Sequence, residues 1–94
     1  MRLAWAKTAR ADLDGIYEHI APESPSAALH QLDEIETQIR LLTANPRLGR
    51  AGRQPGTREL VIARTPYLAV YQLGNELIEI IRIIHGAQHW PPGA

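Results

Sequence analysis

Cysteine is absent from this 94-residue chain, which excludes disulfides and thiolate metal sites and points to a reducing, intracellular setting. No apolar run approaches the roughly 20 residues that a membrane helix needs. Met1-Arg2-Leu3-Ala4-Trp5 is followed at once by charged residues, unlike a secretory leader. A cytoplasmic location is therefore expected. There is no net charge, ten basic side chains balancing ten acidic ones. No Ser-His-Asp or Cys-His arrangement suggests nucleophilic catalysis. His85 and His89 are four apart, yet Gly86 and Pro91 oppose a helix and no third ligand stands nearby. Neither a metal nor a cofactor is expected. The length suits one domain, residues 1–94, with a modest core.

The overall neutrality hides an asymmetry. Residues 1–45 carry four basic and seven acidic side chains, a net of −3, and residues 46–94 carry six and three, a net of +3. The basic half suits nucleic acid or an acidic protein partner. Solvated loop arginines are the plainer alternative. Residues 46–57 hold Arg47, Arg50 and Arg53, three glycines and no acid. This loop lacks the Lys-Ser/Thr ending of a nucleotide-binding loop, so a connector is expected rather than a nucleotide site.

Arg2 to Trp5 reads as a short strand. Thr8 is placed to cap a helix whose apolar stripe is Leu13, Ile16, Tyr17 and Ile20. Pro22 and Pro25 break the pattern, and Ser24 with Pro25 at the first helical position restarts it. Ala28, Leu32, Ile35, Ile39 and Leu42 form a second stripe as far as Thr43, so two amphipathic helices make an antiparallel hairpin. Asn45-Pro46 ends it. Arg58 to Ile62, Tyr67 to Leu73 and Leu77 to Ile84 read as strands. Five of the eight residues from Leu77 to Ile84 are isoleucine, the mark of an interior strand.

With Gly74-Asn75 as the hairpin turn, Tyr67 is expected opposite Arg82, Ala69 opposite Ile80 and Tyr71 opposite Ile78. Leu68, Val70, Leu77, Ile81 and Ile83 are then expected against the helices, with Arg82 on the open face. A guanidinium inside an aliphatic strand must be paired or wet, so Arg82 is either an anion-binding group or half of a structural ion pair. Trp90 reads as a lid on the small core rather than a base-stacking platform.

Taken together, Ala9-x-x-Asp12-Leu13-x-x-Ile16, Asn45-Pro46-x-x-Gly49-Arg50, Gly56-Thr57-Arg58-Glu59-Leu60-Val61, Thr65-Pro66-Tyr67-x-x-x-Tyr71 and Ile81-Arg82-Ile83-Ile84-His85-Gly86-x-Gln88-x-Trp90-Pro91 resemble the RelE/ParE superfamily of type II toxins. The resemblance spans nearly the whole chain and is closer to ParE. It implies an α+β fold, an antiparallel sheet of three to four strands covered by an N-terminal helical hairpin. It also implies a cognate ParD- or RelB-like antitoxin, with operator DNA met only through that antitoxin. RelE-like members cut messenger RNA on the ribosome; ParE-like members poison DNA gyrase. Only Arg82 and His85 match catalytic positions of the nucleases. The second strand lacks the lysine pair of RelE, position 68 is leucine, Gly86 follows His85, and no tyrosine follows Tyr71. These departures favour the gyrase-directed reading over the ribosomal one. Arg50, Arg53, Arg58, Arg64, Tyr67, Arg82, His89 and Trp90 are the expected target- or antitoxin-binding residues.

Overall fold

A computed structural model describes residues 1–92, so the last two residues of the single domain expected over 1–94 lie outside the described ones. In chain order come β1 (Arg2–Trp5), α1 (Lys7–Ile20), α2 (Pro25–Arg40), a 3₁₀ turn (Leu41–Thr43), β2 (Arg50–Ala51), β3 (Arg58–Val61), β4 (Tyr67–Leu73) and β5 (Leu77–His85). The sheet order is β1-β5-β4-β3-β2. This is the expected α+β architecture, with two corrections. The described sheet has five strands rather than three or four, because two residues of the basic loop pair with β3. It is also mixed, since β1 runs parallel to β5. The helical hairpin carries the chain from β1 to β2 at the opposite edge of the sheet, from which β3, β4 and β5 return in antiparallel steps to lie beside β1.

Local chemistry explains the helix ends. Ser24 Oγ accepts from Ala27 N at 3.2 Å, with Pro25 opening α2. The cap expected of Thr8 is not made: α1 starts at Lys7 after Ala6. One residue inside the helix, Thr8 instead donates to Ile81 O at 2.6 Å. Ile16, Ile35, Ile39 and Leu42 are buried, as their stripes require. Tyr17, on the same α1 stripe, stays exposed.

The hairpin register differs from the expected one. Gly74 N donates to Leu77 O at 2.8 Å, so the turn residues are Asn75 and Glu76, and Glu76 takes the left-handed conformation at φ 61°. Leu73 lies opposite Ile78 and Tyr71 opposite Ile80, but Val70 lies opposite Arg82, leaving Ile81 as an extra residue. This β-bulge reverses the side-chain alternation beyond it. The faces expected of β4 and of β5 before the bulge are exchanged, whereas Ile83 packs against the helices and Ile84 and Arg82 lie on the other side as expected. The helix-facing core takes Tyr67, Ala69, Tyr71, Ile78, Ile80 and Ile83 together with Leu60 and Ile62. Leu68, Val70 and Ile84 form a second, smaller cluster under Trp90, which is the lid expected of it.

β1 ends opposite Ile80, and α1 takes over the rest of that edge. Ala6 N donates to Ile80 O at 2.9 Å, Thr8 to Ile81 O, and Ile83 N donates to Asp12 Oδ2 at 2.9 Å. Ala6 just before α1 and Thr8 and Asp12 within it thereby supply the partners that a missing strand would have supplied.

Candidate functional site

Two arginine–carboxylate clusters flank the Trp90 side of the sheet. The first sits where α1 crosses β5. Arg82 Nε donates to Asp12 Oδ2 at 2.7 Å and Arg82 Nη2 to Asp12 Oδ1 at 3.1 Å, a forked pair. Both side chains are largely sheltered, 24% and 17% exposed. The hydrogen bonds it donates to Asp12 hold the Arg82 guanidinium above its usual range, against the opposing effect of burial. Its Cζ lies 5.4 Å from the Trp90 ring centre, within cation–π distance. Of the two readings open for Arg82, the structural ion pair is the one formed.

Beside this pair is a groove of about 380 Å³, lined by Asp12, Gly15, His19, Tyr67, Arg82 and His85 among others. Tyr67 is buried, and burial raises its phenol pKa. It lies opposite His85 rather than Arg82, because of the changed register, with the two rings edge to face at 5.7 Å. Ala87 N donates to His85 Nδ1 at 3.0 Å, which requires a lone pair there and leaves Nε2 as the nitrogen able to meet another molecule. Arg82 and His85 thus share a groove, but the fork of one and a ring nitrogen of the other are already engaged. Among the described residues no group of three or more His, Cys, Asp or Glu could hold a metal.

The second cluster centres on Glu59, only 1% exposed. Its carboxylate accepts from Arg50 Nη2 at 3.2 Å, Arg53 N at 2.9 Å and Arg53 Nε at 3.1 Å. Burial alone would push this carboxyl up; the bonds from Arg53 and Arg50 outweigh it and hold the pKa below the ordinary value. Arg58 Nη1 donates to Gly49 O at 2.7 Å. The buried Tyr71 hydroxyl donates to Pro46 O at 2.7 Å and accepts from Gly49 N at 2.9 Å. A Cβ at Gly49 would stand 2.7 Å from that hydroxyl, so glycine is what allows the approach. The basic stretch is pinned at both ends rather than being a loose connector.

The remaining expected site residues lie elsewhere. Arg64, in the turn between β3 and β4, forks onto Glu34 of α2. His89 is exposed on the C-terminal tail. Sequence reasoning missed Asp12, Glu59 and Tyr71 as the groups that organise the arginines. The available signal was Thr8 and Asp12 on one helix face, four residues apart, and a lone acid in the strand after an acid-free loop.

Three comparisons bear on this geometry. A family model described as the ParE toxin of the type II toxin–antitoxin system parDE matches residues 3–90. The protein Y4kP of Sinorhizobium fredii is 37% identical over 90 residues, 96% of this chain and 93% of that one. Toxin RelE2 of Caulobacter vibrioides is 33% identical over 87 residues, covering 93% and 97%. The solved chromosomal ParDE toxin–antitoxin system from P. aeruginosa superposes with a TM-score of 0.82 at 36% identity, covering 90% of this chain and 95% of that one.

Proposed function

The chain belongs to the ParE toxin family of type II toxin–antitoxin systems, and from that premise we propose that it arrests growth by poisoning DNA gyrase. As the toxin of such a system it has a cognate antitoxin as its partner. The observation that carries the gyrase reading is the Arg82–Asp12 fork. Cleaving a phosphodiester needs free positive charge at the phosphate and a proton-transfer group beside it. Here the strand arginine is engaged by a carboxylate, so a phosphate would have to displace Asp12 to reach it. Glu59 likewise engages Arg50 and Arg53. A lost anion-stabilising donor costs ~10²–10³ in rate and a lost proton-transfer group ~10²–10⁴.

Surface recognition makes no such demand. Exposed side chains such as Arg50, Arg64 and His89 can meet a partner without needing a reactive centre. The test pairs a gyrase cleavage assay with a ribosome cleavage assay, using the wild type, Arg82→Ala and His85→Ala. Gyrase-linked double-strand breaks with intact messages are the expected result. Messages cut in the ribosomal A site by the wild type but not by either variant would replace this reading with the nuclease one.

A further inference from the structure

The chain from Pro46 to Arg58 carries four arginines and no acid, and the fold turns them to both faces of the sheet. Arg50 pairs with Glu59, which lies opposite Val70 on the Trp90 side. Arg58 lies opposite Tyr71, on the helix side. There it shares a hollow of about 310 Å³ with Arg47, Ala51, Gly56, Thr57 and Leu73, and no carboxylate lines it.

The bonds already made use a minority of the available donors. A guanidinium has five N–H groups. Arg50 engages Glu59 through Nη2, Arg53 through Nε, and Arg58 turns Nη1 to the carbonyls of Gly49 and Arg47. Among the described residues Arg47 is bonded only through that carbonyl, and its side chain is exposed. Arg50 and Arg53 remain 60% and 41% exposed although bonded.

The cations are also fixed in place. Tyr71 holds Pro46 and Gly49, Gly52 N donates to Thr57 O at 2.8 Å, and Thr57 Oγ1 donates to Gln54 O at 2.6 Å. A Cβ on Gly52 would collide with Thr57, so this closure requires glycine. Groups ordered before contact lose little entropy on binding.

The type of side chain selects the ligand. All four cations are guanidinium forks, whose shape matches a pair of phosphate oxygens. No aromatic residue occurs from Pro46 to Pro66, so the loop has no platform on which unpaired bases could stack. The backbone of a duplex requires only fixed cations.

We infer that this loop binds duplex DNA through its phosphates, with Arg47 and Arg50 as the principal contacts. Arg53 and Arg58 hold the loop in shape and add charge. Such contacts position a protein without reading sequence. That the duplex is the one held by gyrase rests on the reading proposed above; the affinity for DNA does not.

The test follows the anisotropy of a labelled duplex of about 30 base pairs between about 50 and 200 mM salt. It compares the wild type, Arg47→Ala, Arg50→Ala and Arg10→Ala, Arg10 being an exposed control on α1. Each loop variant is expected to lose about tenfold in affinity at low salt and about one unit of the slope of log affinity on log salt. The control should lose neither. A single strand of equal length should bind no more tightly than the duplex. Circular-dichroism melts confirm that the variants fold.

No wild-type binding, or affinity and slope unchanged in both loop variants, would overturn the assignment, as would tighter binding of the single strand. Loop variants that keep their duplex affinity but lose the antitoxin would give the charge to a protein partner instead. The gyrase cleavage assay separates the two readings. Breaks unchanged in variants without duplex affinity would overturn the gyrase-held duplex as the ligand. No breaks from a wild type whose loop binds duplex would overturn the gyrase reading alone.

Discussion

The two ion clusters use the same chemistry in opposite arrangements. At β5 the strand supplies the arginine and the helix supplies the carboxylate, one for one, both sheltered. At β3 the strand supplies a buried carboxylate, and two arginines reach in from solvent, 60% and 41% exposed. The first is a closed joint whose charges cancel. The second anchors its loop and leaves positive charge over. Pairing one to one hides charge, and pairing two to one displays it. The contrast separates a part that holds the molecule together from a part available to a partner.

The sharpest way to break the comparison is Asp12→Ala. It strands a sheltered guanidinium and orphans Ile83 N–H together, so a loss of about 3 kcal/mol in folding stability is expected. Urea denaturation checks this, and a loss comparable to that of a surface pair would mean that the β5 cluster is not a joint.

Glu59→Gln comes next, with an expected loss of about 2 kcal/mol. An amide has one acceptor oxygen to offer where the carboxylate accepts three bonds. Acid makes the same point. The folded Glu59 pKa is lowered from 4.5, so its stabilisation is fully present above that value and is lost as pH falls through the folded pKa. Melting temperatures followed from pH 6 to pH 3 should fall less steeply in Glu59→Gln than in the wild type. Glu34, also lowered, through its bond to Arg64, contributes to the slope that remains.

Gly15→Ala sharpens the account of the groove beside Asp12. A Cβ there meets nothing within 4 Å, so the helix should gain about 0.5–1 kcal/mol. If that groove only flanks a joint, toxicity measured by growth on induction is unchanged. A more stable but non-toxic variant would mean that the target touches α1 there. The smallest effect is expected from Arg50→Ala, below about 0.5 kcal/mol, because Arg50 is mostly exposed and Arg53 remains. Its affinity for duplex DNA should nonetheless fall, and more steeply at low salt.

The helices were legible because their evidence is local. Ile16, Ile35, Ile39 and Leu42 recur at the helical period, and Ser24-Pro25 is a start signal needing no distant partner. The strands and the role of Trp90 were legible for the same reason: β-branched runs and one large apolar tail residue. The face each strand presents was not. Alternation assigns faces only while pairing is regular, and the extra residue at Ile81 puts Ile80 and Ile83, three apart, on one face. That bulge falls where β1 stops and α1 takes over the edge.

By itself, then, the sequence determined two helices, the described strands other than β2, the toxin family and a basic second half, all carried by short-range patterns and ordered motifs. Only the tertiary structure decided that Arg82 meets Asp12, 70 residues away, and that Glu59 is the acid beneath Arg50 and Arg53. It also decided that Gln38 closes the sheet edge at Ala63, 25 residues on. The physical reason is that an ion pair or a side-chain cap depends on which backbones the topology brings within about 3 Å of each other. Residue spacing along the chain carries no record of that.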